Sequence, residues 1–397
     1  MSHRRDTVAD GRDAAPALSK RLRAVPTAGG SALLEMFQRR PGAIALGRGD
    51  PDLPAPPHVL AAAQEAIAKG LTRYTPVRGL PDLRRAIADK LRRDNGIEAD
   101  PETDILVTTG TQEAVFLTFY ALLDPGDELL LPDPYYNAYA PMIQYVQGVL
   151  VPVPTRPKHG FRLDPDEVER RITPRTRAIM VVTPNNPSGA VYDPDALERV
   201  ARLAERHGLF VISDELYEAL IYRGRPFSIA SLPGMRDRTI TINGFSKTYS
   251  MTGWRVGYLA ASSEIVGQML TLRHALTICA PSVSQHAALA ALRGPQTCLA
   301  DRLSIFTARR SFVLSRLEAL GIPCVPPDGA FYVLVDVRAS GMTSEQFAYA
   351  LLEREGVFVY PGSYFGHEAE GFVRISLVLP EDVLGDALER MRRVIGT

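Results

Sequence analysis

TITINGFSKTYSMTGWRVGYLA, residues 239–260, opens on a short β-branched run and breaks at Asn-Gly into a polar, aromatic and hydroxyl-rich segment. β-Branched residues favour strands, and the Asn-Gly pair ends one. The same grammar recurs upstream. ILV at 105–107 ends in TGTQ, ELLL at 128–131 ends in PDPYY, AIMVV at 178–182 ends in TPNNPSG, and LFVI at 209–212 ends in SDE. Helical patterns lie between them, at 83–91, 113–123 and 195–207. Short, largely apolar strands alternating with helices predict an α/β fold whose mostly parallel sheet is covered on both faces, with right-handed crossovers. Open sheets of this kind take their ligand outside the carboxyl ends of the strands. Five polar strand ends therefore predict one shared site.

The pattern changes after residue 300. A helix at 300–320, strands at 329–337 and 371–379, and helices at 343–356 and 381–395 read as a smaller α+β domain. PDLPAPP at 51–57 cannot be helical throughout and joins two bodies; the helix after it, 58–70, ends at Gly70. The expected division is a mobile N-terminal tail at 1–25, a joining segment at 26–57, a large domain at 58–295 and a small domain at 296–397. The tail is polar and lacks the apolar core of a secretory signal. The 45 basic and 45 acidic residues cancel, giving no reason to expect nucleic acid or an anionic membrane as partner. No apolar run approaches the roughly 18 residues of a membrane span. Cys279, Cys298 and Cys324 form no CxxC pair and no HExxH occurs, so neither metal nor disulfide framework is expected, as suits a cytoplasmic protein.

Within 239–263 the only charged residues are Lys247 and Arg255. Most lysines are solvated, but an apolar setting lowers the amine's pKa and makes it a nucleophile. Arg255 pushes the same way and is suited to gripping a phosphate. Asp214, ending its strand, is either a helix N-cap or a carboxylate for a protonated ring nitrogen, with Tyr217 three residues on. Gly110, Thr111 and Gln112 open a helix, whose N-terminus holds phosphate well. Asn186 sits in a turn sequence, and Tyr136 is an aromatic able to stack on a flat ring. Arg374, in FVRISLV, shares a strand face with Phe372 and Ser376. It needs an anion, either an internal acid or a substrate carboxylate. A phosphate, an aromatic cationic ring and an aldehyde carbon together describe pyridoxal 5'-phosphate (PLP).

From about residue 43 to the C-terminus the sequence resembles the class I/II aminotransferases of PLP fold type I, the aspartate aminotransferase superfamily. The resemblance is carried by SKTYSMTGWRVGY (246–258), PNNPSG (184–189), SDELY (213–217), YTPVRGLPDLR (74–84) and GRGDPD (47–52). It implies a PLP-dependent transfer of an amino group from an L-amino acid to a 2-oxo acid by a ping-pong mechanism. Lys247 would form the Schiff base and Asp214 pair with the ring nitrogen. Tyr217 and Asn186 would bond the ring's 3-oxygen and Tyr136 stack on the ring. Gly110, Thr111, Gln112, Ser246 and Arg255 would hold the phosphate. Tyr74 would reach the phosphate of a neighbouring subunit, implying a homodimer with shared sites. Arg374 and Gly49, assisted by Asn186, would bind the substrate α-carboxylate. A β-elimination lyase or an aminocyclopropane-carboxylate synthase on the same scaffold would use nearly the same residues.

Three departures stand out. Gly244 lies where many members carry a phosphate-binding serine. Tyr136 stands where aspartate-specific members often have tryptophan. A second arginine for a dicarboxylate is not evident, although Arg48 beside Gly49 is either a solvated loop residue or a contact for an acidic side chain. No GxGxxG follows the first strand, disfavouring a dinucleotide dehydrogenase. No helix-turn-helix pattern or basic stripe precedes residue 47, disfavouring a DNA-binding regulator.

Overall fold

The computed structural model describes residues 19–25 and 31–396. Its larger sheet has seven strands: β1 (Ile105–Thr108), β2 (Glu128–Asp133), β3 (Val149–Pro154), β4 (Thr176–Val182), β5 (Phe210–Asp214), β6 (Thr239–Gly244) and β7 (Gly257–Ala260). They lie in the order β1-β7-β6-β5-β4-β2-β3. The neighbours from β3 to β6 pair in parallel, whereas β7 is antiparallel to both β6 and β1. Six strands thus run one way and β7 alone reverses. Every residue of β1, β2, β6 and β7 is buried, as helices on both faces require.

Two strands of this sheet were absent from the sequence reading. β3 contains Pro152 and Pro154, which suit an edge but weaken any strand signature. β7 begins at the end of the 246–258 motif, and its antiparallel register sets Gly257 against Gly244. A Cβ at Gly257 would fall 2.9 Å from Gly110 C and Thr111 N, so only glycine lets the turn after β1 sit this close.

Four antiparallel strands form the second sheet: β8 (Cys324–Val325), β9 (Tyr332–Asp336), β10 (Tyr360–Pro361) and β11 (Phe372–Ser376), ordered β10-β11-β9-β8. The helices Thr297–Ala319, Ser344–Glu355 and Glu381–Ile395 supply the rest of this unit. The second begins with a capping box, Thr343 with Gln346, and ends at Gly356 in the left-handed conformation. Its core of Phe306, Leu317, Val333, Val335, Leu351 and Leu388 also takes in Leu33 and Leu46 from the N-terminal segment and Leu216 and Tyr217 from beyond β5. Burial therefore ties the segment before residue 50 to the second sheet.

The expected helix at 58–70 spans Pro57–Ala68, with proline at its first position. Ser31–Gln38, Ser263–Thr277 and Ser282–Arg293 are helices the sequence reading did not draw. Of the expected tail, residues 1–18 lie outside the described residues; the short helix Lys20–Ala24 falls in its last part. No helix among the described residues is long and apolar enough to cross a membrane.

Candidate active site

The carboxyl ends of β1, β2, β4, β5 and β6 open on one cavity of about 600 Å³. Gly49, Thr111, Gln112, Tyr136, Asn186, Asp214, Tyr217, Ser246, Lys247, Arg255 and Arg374 all line it. Because β7 is reversed, its first end lies beside these carboxyl ends and brings Arg255 with it. Arg48 is exposed on the cavity rim.

Lys247 follows β6, and its Nζ donates to Gly49 O at 2.6 Å, with the Phe331 ring centroid at 5.8 Å. Burial lowers the amine from 10.5 to about 8; Arg374 and Arg255 push the same way, and Asp50 opposes them. An amine so placed is neutral often enough near neutral pH to act as nucleophile or base.

Asp214 ends β5 and is 6% exposed. Its Oδ2 accepts from the Tyr139 hydroxyl at 2.6 Å and its Oδ1 from Leu216 N at 3.2 Å. Burial raises the carboxyl above its ordinary value, and those two bonds work against the rise. A turn rather than a helix follows, so Asp214 caps no helix. Tyr139 was missed in the sequence, although it lies one helical turn past Tyr136 and the two rings meet edge to face at 5.4 Å.

Arg374, on β11, is 4% exposed. It donates from Nη1 to Asn186 Oδ1 at 2.9 Å and from Nη2 to Gly47 O at 2.8 Å, while Nε has no partner among the described residues. The rings of Tyr332, Phe365 and Tyr360 surround its guanidinium at 4.2, 4.6 and 5.0 Å. Arg374 forms no ion pair with an acid among the described residues. The internal-acid alternative therefore fails, and a buried cation of this kind calls for an anion from outside. Tyr332, also missed, bonds the Tyr217 hydroxyl at 3.0 Å. A Cβ on Gly49 would fall 2.4 Å from the Tyr332 hydroxyl oxygen, which fixes glycine there.

At the opposite corner Gly110, with φ +76°, precedes the helix Thr111–Leu122. A Cβ on it would fall 2.4 Å from Arg255 Nη2, so the guanidinium lies directly over the turn. Arg255 is held by an Nη1 bond to Thr252 O at 2.9 Å. The Gly244 departure has a counterpart here: a Cβ at 244 would meet Thr111 Cγ2 at 2.9 Å. The room a serine would need is taken by the threonine methyl. Tyr74 does not line the cavity; it is 80% exposed and groups with Arg73, Thr109, Thr277 and Cys279. Among the described residues no group of His, Cys, Asp and Glu is placed to hold a metal.

Residues 41–391 match the family model for aminotransferase class I and II. The chain belongs to that family. This aminotransferase is 41% identical over 382 residues to aromatic-amino-acid aminotransferase 2 of Thermococcus litoralis, covering 96% of this chain and 98% of the relative. It is equally 41% identical over 388 residues to the aspartate/prephenate aminotransferase of Thermus thermophilus, covering 96% and 99%. A double mutant of Thermus thermophilus aspartate aminotransferase superposes with a TM-score of 0.92 at 40% identity, covering 96% of this chain and all of that one. The fold is PLP fold type I, the reaction is amino-group transfer between amino acids and 2-oxo acids, and the cofactor is pyridoxal 5'-phosphate. The relatives do not favour the lyase or synthase alternative.

Proposed function

We propose that this aminotransferase works by a ping-pong cycle in which Lys247 binds the cofactor covalently and moves the reacting proton. The observation that carries the proposal is the company Lys247 keeps. One cavity holds its desolvated amine, the buried carboxylate of Asp214 and the acid-free guanidinium of Arg374.

The cofactor fits these residues. The cradle at Gly110, which a side chain would close against Arg255, suits a phosphate. Gly110, Thr111, Gln112, Ser246 and Arg255 hold that phosphate. Tyr136 covers the ring face, and Tyr217 and Asn186 meet the 3-oxygen. Bound pyridoxal phosphate supplies a reactive aldehyde carbon on a ring that accepts electrons. Asp214 keeps the ring nitrogen protonated, and Tyr139 keeps Asp214 ionised by donating to Oδ2. Arg374, with Gly49 and Asn186, seats the substrate α-carboxylate, the bonds to Asn186 and Gly47 fixing the guanidinium beforehand. Lys247 Nζ then takes the proton from the donor's Cα, and in the second half-reaction returns one to the acceptor's Cα.

Residues 58–295 serve as the cofactor-binding domain and 296–397 as the small domain, joined through 26–57. The working form is a cytoplasmic homodimer in which Tyr74 reaches the partner's phosphate. Borohydride treatment of the holoenzyme should fix the cofactor on the peptide containing position 247, and Lys247→Ala should lose amino exchange. Near wild-type exchange by Lys247→Ala would overturn the proposal. Comparing glutamate, phenylalanine and leucine as donors defines side-chain preference; selective loss of glutamate use in Arg48→Ala would assign Arg48 to an acidic side chain.

A further inference from the structure

The turn after β1 is braced from behind by charges that the amino transfer itself does not use. Glu113 is the third residue of the helix Thr111–Leu122. A glutamate there commonly reaches back to the N–H of the capping residue. Here the capping residue is Gly110, whose N–H is already bonded to Thr108 O at 2.9 Å. Glu113 reaches one residue further and accepts from Thr109 N through Oε2. Its other oxygen, Oε1, lies 3.2 Å from Arg273 Nη1 and accepts from the Thr277 hydroxyl. Arg273 and Thr277 stand four apart on the helix Ser263–Thr277 and also bond each other. Arg273 is 0% exposed, and its Nε and Nη2 have no partner among the described residues.

A lone carboxylate one turn from a phosphate would repel it, and a buried arginine using one of its nitrogens would be costly on packing grounds alone. Together the two form a neutral pair that cancels the repulsion and holds the Thr109 amide behind the turn. We infer that Glu113 and Arg273, with Thr277, are positioning residues for the cofactor phosphate: they set the Thr109–Gly110–Thr111 backbone and balance its charge. The inference rests on the reading that this turn holds the phosphate.

The experiment titrates apoenzyme with pyridoxal phosphate and, separately, with pyridoxal, which lacks the phosphate, and reads each Kd from absorbance. Glu113→Ala should weaken pyridoxal phosphate by about tenfold, the loss of one charge-assisted hydrogen bond, and change pyridoxal less than about twofold. Arg273→Met should weaken pyridoxal phosphate further by leaving Glu113 uncompensated, and Glu113→Gln added to Arg273→Met should restore part of the loss. Equal shifts for both ligands, or no shift for either, would overturn the inference by reducing the pair to general support. Should a charge variant not fold, Thr277→Val, with Thr277→Ser as the conservative rescue, makes the same comparison. Arg255→Gln separates the two levels. If wild type shows no preference for pyridoxal phosphate that Arg255→Gln removes, the phosphate reading itself fails; if it does and Glu113→Ala keeps the preference, only the present inference fails.

Discussion

Burial lowers the Lys247 amine to about 8, so its reactive neutral form becomes abundant some two pH units earlier than in a solvated lysine. The rate at which apoenzyme captures pyridoxal phosphate should therefore rise with pH and reach half its maximum near 8, as read by stopped-flow absorbance. A midpoint near 10.5 would contradict it. Tyr139 acts on the other end of the site. Tyr139→Phe leaves Asp214 Oδ2 without its donor in a buried setting and pushes that carboxyl further up. The expected result is a fall in kcat of about tenfold or more with KM for the donor little changed. An unchanged kcat would show that Asp214 needs no second support. Lys247, Asp214 and Arg374 stood out in the sequence as a lone lysine in an uncharged stretch, an acid closing an apolar run and an arginine inside one, and all three line the cavity. Tyr139 and Tyr332 did not stand out, because a buried tyrosine looks like core until its hydroxyl partner is known, and those partners lie 75 and 115 residues away.

The elements the sequence announced are those whose pattern is local: the apolar strands, five of them with polar ends, and the helices with a clear apolar period. β3 and β7 were hidden because their strand character depends on neighbours, an edge that tolerates proline and a glycine crossing under the turn at 110. Hidden too was the polar junction linking β5 to the helix Pro81–Lys90. Glu215, one residue past Asp214 and 2% exposed, accepts from Ser213 and Ser228 hydroxyls at 2.8 and 2.7 Å and from Asn95 Nδ2 at 3.0 Å. Glu218 shares Asn95 and takes Lys90 and Asn243. Burial, and then the Glu218 charge, push the Glu215 carboxyl up from 4.5 to about 7. Between those values the folded protein holds a proton that the unfolded chain has released, so stability falls as pH rises through the window. Glu215→Gln removes that liability. Its melting temperature relative to wild type should climb between pH 5 and pH 8 in calorimetry, and a difference flat across that range would exclude this account.

At the scale of the whole molecule, the site in one chain does not contain everything the motif set implies. Tyr74 opens the 74–84 motif that helps carry the resemblance, yet it is 80% exposed and outside the cavity. Leu71, Leu276 and Ile278, next in sequence to the residues around it, are exposed as well. Exposed apolar side chains of this kind suit a contact surface, and in the proposed homodimer a two-fold pairing through it would deliver each Tyr74 to the other chain's turn at 109–111. Subunit mixing tests this directly. Tyr74→Ala and Lys247→Ala enzymes should each be impaired as homodimers. In a hybrid, one site combines Lys247 from the first chain with Tyr74 from the second and is whole, while the other site lacks both. Random exchange makes half the dimers hybrids with one whole site in two, so the mixture should recover about a quarter of wild-type activity. If Tyr74 served its own chain, every hybrid site would lack one of the two residues and mixing would add nothing to the sum of the parts.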